Sequence, residues 1–185
     1  MKKNLSSCLG IFALSCALAI PSLAAAPQDH MDTGAKKMLN SGDSTFAMKA
    51  AQGGMAEVQL GKLAADKASN PDVKAFGQQM VDDHTKANDQ LKSVAQQENM
   101  TLPTDLNAKD QAMYDRMSKL SGAAFDRAYV KDMVKDHEMD VKEFQKESTA
   151  GKDDNIKNFA SQTLPVLQGH LDKIKAISSK MGSGS

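Results

Sequence analysis

The chain has 185 residues, which is enough for one domain with its own apolar core. Basic and acidic side chains balance at 23 each, and aromatic residues make up 4% with no Trp. This composition excludes a basic nucleic-acid-binding surface and an aromatic platform for stacked bases. Both cysteines, Cys8 and Cys16, precede residue 25, so the rest of the chain has no thiolate chemistry and no disulfide.

Residues 1–24 have the pattern of a secretory signal peptide. Two N-terminal lysines precede an apolar run over residues 11–20 that is too short to span a bilayer. A small-x-small cleavage site ends at Ala24, so we predict a mature chain that is periplasmic or secreted. Cleavage would leave 21 basic against 23 acidic groups. A lipid anchor at Cys16 is the alternative.

The remaining chain is predicted to be helical. Residues 25–42 are polar and show no sustained period, which indicates a flexible segment. Beyond them, apolar residues recur at alternating steps of three and four in long stretches, as in helices that bury one face. We predict an antiparallel four-helix bundle over residues 43–180 and a flexible tail over residues 181–185. The predicted elements are long helices at 43–69, 71–98, 122–150 and 153–180, with a short extra helix at 108–120 between the second and third.

Each long helix has one ligand-type residue on its apolar stripe. Counted from the helix ends at 1.5 Å per residue, the four lie near the mid-height of the bundle. A buried carboxylate is costly unless it is paired or bound to a metal, and buried imidazoles also need partners. Two solutions stay open: a transition metal held by oxygen and nitrogen ligands, or a metal-free hydrogen-bonded layer that sets the helix register. The four residues are Glu57, His84, His137 and His170.

Neighbouring residues could extend this ligand set. Asp83 and Asp136 each directly precede a histidine of the set, and are candidate extra ligands or acceptors for a histidine N–H. Met80 and Met133 each lie four residues before one of these histidines and would add sulfur, which favours copper. Carboxylate and imidazole alone suit Fe, Mn or Zn. Plain core packing is the other interpretation of the two methionines.

Several short segments, in one order, resemble a known family. They span roughly residues 44–177 and resemble the exported bacterial family catalogued as domain of unknown function 4142. The resemblance implies a ferritin-like fold, a periplasmic or outer-membrane location and no established activity. The segments are GGMAEV at 53–58, LGKLA at 60–64, NPDVKAF at 70–76, MVDDH at 80–84, FDRAY at 125–129, MVKDH at 133–137, and LPVL at 164–167 followed by His170 and Leu171.

Ferritin-like di-metal proteins use Glu-x-x-His pairs, which this chain lacks. Val81 and Val134 stand three residues before His84 and His137. The sequence therefore argues against a di-iron oxidase centre and favours a single metal or none.

The predicted function is binding rather than catalysis. The chain has no GxSxG motif and no Gly-rich phosphate loop, and a redox enzyme is the least favoured alternative. We predict an exported bundle that binds Fe, Mn, Zn or Cu for storage, buffering or envelope stress protection. The alternative is a metal-free bundle that binds a protein partner, or a second copy of itself, at the envelope. No transmembrane segment is expected in the mature chain.

Overall fold

The computed structural model describes residues 39–183, which form five helices. These helices are α1 (Ser41–Lys67), α2 (Pro71–Gln97), α3 (Ala108–Ser118), α4 (Gly122–Ala150) and α5 (Asp154–Ser183). The architecture confirms the predicted all-α, ferritin-like four-helix bundle with a short extra helix. The predicted signal peptide and nearly all of the predicted flexible segment lie outside the described residues.

Two antiparallel hairpins, α1–α2 and α4–α5, make up the bundle. α2 packs on α5, α1 packs on α4, and the short α3 lies against both α1 and α4. Each hairpin is joined by a turn of only three residues, which forces its two helices to run antiparallel. None of the helices within residues 39–183 combines the length and the apolar character that a bilayer crossing requires.

Asparagine side chains start three of the helices. Asn40, Asn70 and Asn107 each accept a hydrogen bond from a backbone N–H two or three residues further on. The predicted start of the first helix at residue 43 is therefore two residues too late, since α1 begins at Ser41. Asp43 is an acid in the first turn whose side chain bonds to another part of the bundle.

Two buried aspartates connect the hairpins to each other. Asp126, near the start of α4, accepts hydrogen bonds at 3.0 Å from both backbone N–H groups of residues 69–70 in the α1–α2 turn. Asp43, in the first turn of α1, accepts hydrogen bonds at 3.2 and 2.8 Å from the N–H groups of residues 152–153 in the α4–α5 turn. The turn of each hairpin is therefore held by the first helix of the other.

The α1 and α2 backbones touch at Gly61 and Gly77. A Cβ on Gly61 would lie 2.6 Å from the carbonyl oxygen of Gly77, and a Cβ on Gly77 would lie 2.8 Å from that of Gly61. Only glycine permits this approach. The contact brings α1 and α2 close together between the middle of the bundle and the α1–α2 turn.

A polar layer divides the apolar core into two clusters. One cluster lies toward the α1–α2 turn and includes Leu60, Phe76, Met133 and Ile174. The other lies toward the α4–α5 turn and includes Phe46, Leu91, Phe144 and Leu167. Along every long helix, one buried polar residue separates the members of the two clusters. These residues are Glu57 in α1, His84 in α2, His137 in α4 and His170 in α5.

Candidate metal centre

Three imidazoles meet at the middle of the bundle. His84, His137 and His170 come from α2, α4 and α5, and one ring nitrogen of each lies within 4.8 Å of those of the other two. Their ring centroids are 5.4 to 6.1 Å apart. The three side chains are buried, with exposed fractions of 7%, 0% and 1%. A small inward movement would bring the nitrogens to about 3.4 Å from one another, the spacing that metal–nitrogen bonds of about 2.0–2.1 Å require.

Hydrogen bonds orient two of the rings. His137 Nδ1 lies 3.0 Å from the Met133 carbonyl oxygen, and His170 Nε2 lies 2.8 Å from Asp83 Oδ2. Because both partners can only accept, each of these nitrogens carries the proton and donates. The lone pairs are then on His137 Nε2 and His170 Nδ1. Both atoms, like His84 Nε2, are buried and have no hydrogen-bond partner.

Burial keeps the three rings neutral. It lowers the pKa of His84 to about 3 and that of His137 to about 4, with repulsion from neighbouring rings as a further cause. Burial also lowers the pKa of His170, although the Asp83 carboxylate acts in the opposite direction. At neutral pH the group therefore offers three uncharged nitrogen ligands with free lone pairs.

The surroundings of the three rings differ on their two sides. The Phe76 ring lies 6.1 Å from the His137 ring and 6.2 Å from the His170 ring, and closes one side with apolar surface. On the other side a cavity of about 310 Å³ reaches His84, and exposed residues such as Lys49 and Lys109 also line it. His84 is therefore the histidine through which an ion could enter.

Glu57 belongs to a second group. Its carboxylate lies within 4.8 Å of those of Asp136 and Asp140, and neither of its oxygens has a hydrogen-bond partner. The predicted set of Glu57 with the three histidines is thus replaced by two groups. Asp136 and Asp140 are one helical turn apart on α4, so they share a face, while His137 points about 100° away. Asp140 was not predicted, and its four-residue spacing from Asp136 is the signal that could have found it.

The additional candidate ligands occupy three different environments. Asp83 accepts the orienting hydrogen bond from His170 and not one from its neighbour His84. Asp136 lies in the carboxylate group with Glu57. Met80 and Met133 are completely buried in the apolar cluster that contains Phe76.

A comparison with models of known protein families assigns the chain to one of them. The model of the domain of unknown function DUF4142 matches residues 28–177, which is most of the sequence. The chain belongs to the DUF4142 family. Among curated proteins, none matches it.

Several solved structures share the fold of this DUF4142 protein. A DUF305 fragment from Deinococcus radiodurans superposes with a TM-score of 0.67 and 11% identity, over 77% of this chain and 98% of the fragment. A DUF305 protein from Streptomyces coelicolor gives 0.65 and 11%, over 76% and 92%. CopM in its Cu(I)-bound form gives 0.62 and 15%, over 75% and 96%, and CopM has also been solved in Ag-bound and Cu(II)-bound forms. At these identities the likeness shows the fold alone.

Proposed function

We propose that this protein binds a copper ion, as Cu(I), through His84, His137 and His170, and so stores or buffers copper in the cell envelope. The observation that carries the proposal is the convergence of three buried, neutral imidazoles whose inward nitrogens have no hydrogen-bond partner. A buried acceptor without a partner costs about 1–3 kcal/mol. A bound metal ion removes that cost at three positions at once.

The charge of the group favours a monovalent ion. The three ligands are neutral, and desolvating an ion in a buried site costs more as its charge rises. Imidazole suits copper as well as zinc, and Cu(I) accepts three ligands without a fourth. Zn²⁺ is the second candidate, because it also binds three histidines, but it requires a fourth ligand such as water. CopM, which shares the fold, has been solved with Cu(I), Cu(II) and Ag bound, and these forms support the choice of copper.

The hydrogen bonds around the rings also fit a metal centre. Metal-binding histidines almost always donate their other ring N–H to a carboxylate or a backbone carbonyl, which fixes the tautomer. His170 donates to Asp83 and His137 donates to the Met133 carbonyl. A purely structural polar layer would instead be expected to pair its groups with one another, and these three rings do not.

An anaerobic Cu(I) titration against a chromophoric chelator tests the proposal. Tag-free protein purified from the periplasm is expected to bind one Cu(I) per chain, and the double variant His84→Ala, His137→Ala is expected to lose that equivalent. The matched control is His30→Ala, which changes the fourth histidine of the chain, outside the described residues. Circular dichroism verifies that each variant is folded.

The same titration can contradict the proposal in two ways. Wild-type protein that takes up well under one equivalent of Cu(I), and of Zn²⁺ in a parallel titration, would favour the metal-free, partner-binding interpretation. Binding that survives the double variant and disappears in His30→Ala would move the site out of the bundle.

A further inference from the structure

We propose a second cation site, separate from the histidine group, in which Glu57, Asp136 and Asp140 bind a hard divalent cation of the Mn²⁺ class. The site lies between α1 and α4, whereas the histidine group is formed by α2, α4 and α5. It requires no metal at the histidines, so the two proposals can succeed or fail independently.

Glu57 is the observation that points to a ligand. The side chain is 1% exposed, and neither carboxylate oxygen has a hydrogen-bond partner. Among the described residues it forms no salt bridge with a basic side chain. The carboxyls of Asp136 and Asp140 lie within 4.8 Å of it, and they can bond to it only if a proton or a cation lies between them.

The pKa values of these acids show that their charged forms are disfavoured. Burial raises the pKa of Glu57 well above its usual value, and the charges of Asp136 and Asp140 raise it further. Burial and the neighbouring acids also raise the pKa of Asp140 to about 8. A divalent cation would resolve the mutual repulsion of these acids, and it could do so without leaving a buried charge unpaired.

The cavity supplies space for the cation and its waters. Asp136 and Asp140 both line the cavity of about 310 Å³, as does Asp110, which adds a fourth carboxyl at the wall. Gly53 also lines it, and the position its Cβ would occupy has no atom within 4 Å. One water takes up about 30 Å³ of liquid volume, so an ion with several waters fits.

The ligand set selects the class of ion. Three carboxylates and water offer only oxygen, which suits Mn²⁺, Mg²⁺ and Ca²⁺, while Cu(I) prefers nitrogen and sulfur. The protein would then hold a soft ion in its neutral group and a hard ion in its acidic group. The competing interpretation is a metal-free acid cluster in which Glu57 stays protonated.

Titration with Mn²⁺ alone, followed by electron paramagnetic resonance of the free ion, tests the site. Wild-type protein is expected to bind one Mn²⁺ per chain, and Glu57→Gln and Asp140→Asn are each expected to weaken binding by about tenfold or more. The matched control is Glu138→Gln, which removes the same charge from α4 but faces Lys175 of α5 at 2.7 Å. Its affinity for Mn²⁺ should equal that of the wild type.

Three results would overturn the proposal. These are no Mn²⁺ binding by the wild type, equal binding by Glu57→Gln, or loss of Mn²⁺ in the His84→Ala, His137→Ala variant. The last would mean one mixed centre, whereas retention of Mn²⁺ there separates this site from the copper proposal. Thermal unfolding verifies folding, and Mn²⁺ should raise the Tm of Glu138→Gln but not that of Glu57→Gln.

Discussion

His137 and His170 each use one ring nitrogen for an orienting hydrogen bond and leave the other without a partner. His84 Nε2 has no partner either. His84 stands at a position on α2 where an apolar residue would be expected. In the metal-free protein these three atoms are a cost to stability. The residues that suit the proposed function are therefore those that a more stable sequence would replace.

Replacement of His84 by leucine should stabilise the metal-free protein. Leucine has a similar volume and no polar atom, so His84→Leu removes a buried unpartnered acceptor and should raise the free energy of unfolding by about 1 kcal/mol. The same change should abolish Cu(I) binding. Urea unfolding in the presence of a chelator measures the first effect. Lower stability of the variant would instead show that the polar layer supports the fold without metal.

The Asp83 carboxylate should strengthen metal binding through His170. Asp83→Asn removes the charge that accepts the His170 Nε2–H, and loss of such a partner typically costs 10–100-fold in metal affinity. Asp83 is 35% exposed, so we expect the lower end, about tenfold. The control is Asp82→Asn, one residue away and exposed, which should have no effect. Equal Cu(I) affinity in the two variants would contradict this role.

The three histidines were predicted because each interrupts an apolar stripe, which a sequence shows directly. The grouping of Glu57 with Asp136 and Asp140 could not be predicted in the same way. The relation of α1 to α2 follows from a short turn, but the chain between α1 and α4 contains α2, the long connection at 98–107 and α3. Their rotation relative to each other is set by packing alone, so the height of Glu57 could be predicted and its neighbours could not.

At the scale of elements, each hairpin supplies the hydrogen-bond acceptor for backbone N–H groups in the turn of the other hairpin. The turn acceptors, Asp126 and Asp43, are 2% and 3% exposed and bond to backbone N–H groups that no helix can satisfy. Sequence spacing predicts helices and their starts from local cues, as at Asn70 before Pro71. The bond from Asp43 to the α4–α5 turn joins residues about 110 positions apart, so no local cue could predict it.

Removal of the Asp126 side chain should destabilise the whole bundle. Asp126→Ala would leave the N–H groups of residues 69–70 without acceptors, at a cost of about 2 kcal/mol or more. Asp115→Ala is the control, since Asp115 is exposed and its side chain accepts a bond from Gln111 within the same helix, α3. Urea unfolding should show a lower midpoint for Asp126→Ala and little change for the control. Similar midpoints for both variants would contradict the proposed link between the hairpins.

The whole molecule holds two polar groups of opposite character between two apolar clusters. The histidine group is neutral and nitrogen-rich, and the group around Glu57 is acidic. Both lie at mid-height between the two apolar clusters, and the cavity of about 310 Å³ reaches both groups. Acidification should change the free energy of unfolding in opposite directions through the two groups. Folding lowers the pKa of the histidines, so their protonation at low pH favours the unfolded chain, whereas folding raises the pKa of Glu57 and Asp140, so their protonation favours the folded chain.

The histidine contribution to pH dependence can be isolated with a variant. Folding lowers the pKa of His84 from an ordinary value of about 6.5 to about 3, so the unfolded chain binds more protons below pH 6.5. This contribution to stability is complete above pH 6.5 and is lost as the pH falls toward the folded pKa. Between pH 7 and about pH 4.5, the Tm of the metal-free wild type should therefore fall further than the Tm of His84→Leu. Parallel Tm curves would show that folding does not lower the pKa of His84.

X-ray absorption of the Cu(I)-loaded protein tests the central claim most directly, because it reads the ligands of the metal. We predict three nitrogen ligands at about 2.0 Å, with the outer-shell scattering of imidazole rings and no sulfur ligand. Sulfur scattering at about 2.3 Å, as from Met80 or Met133, or fewer than three imidazoles, would contradict a three-histidine copper centre.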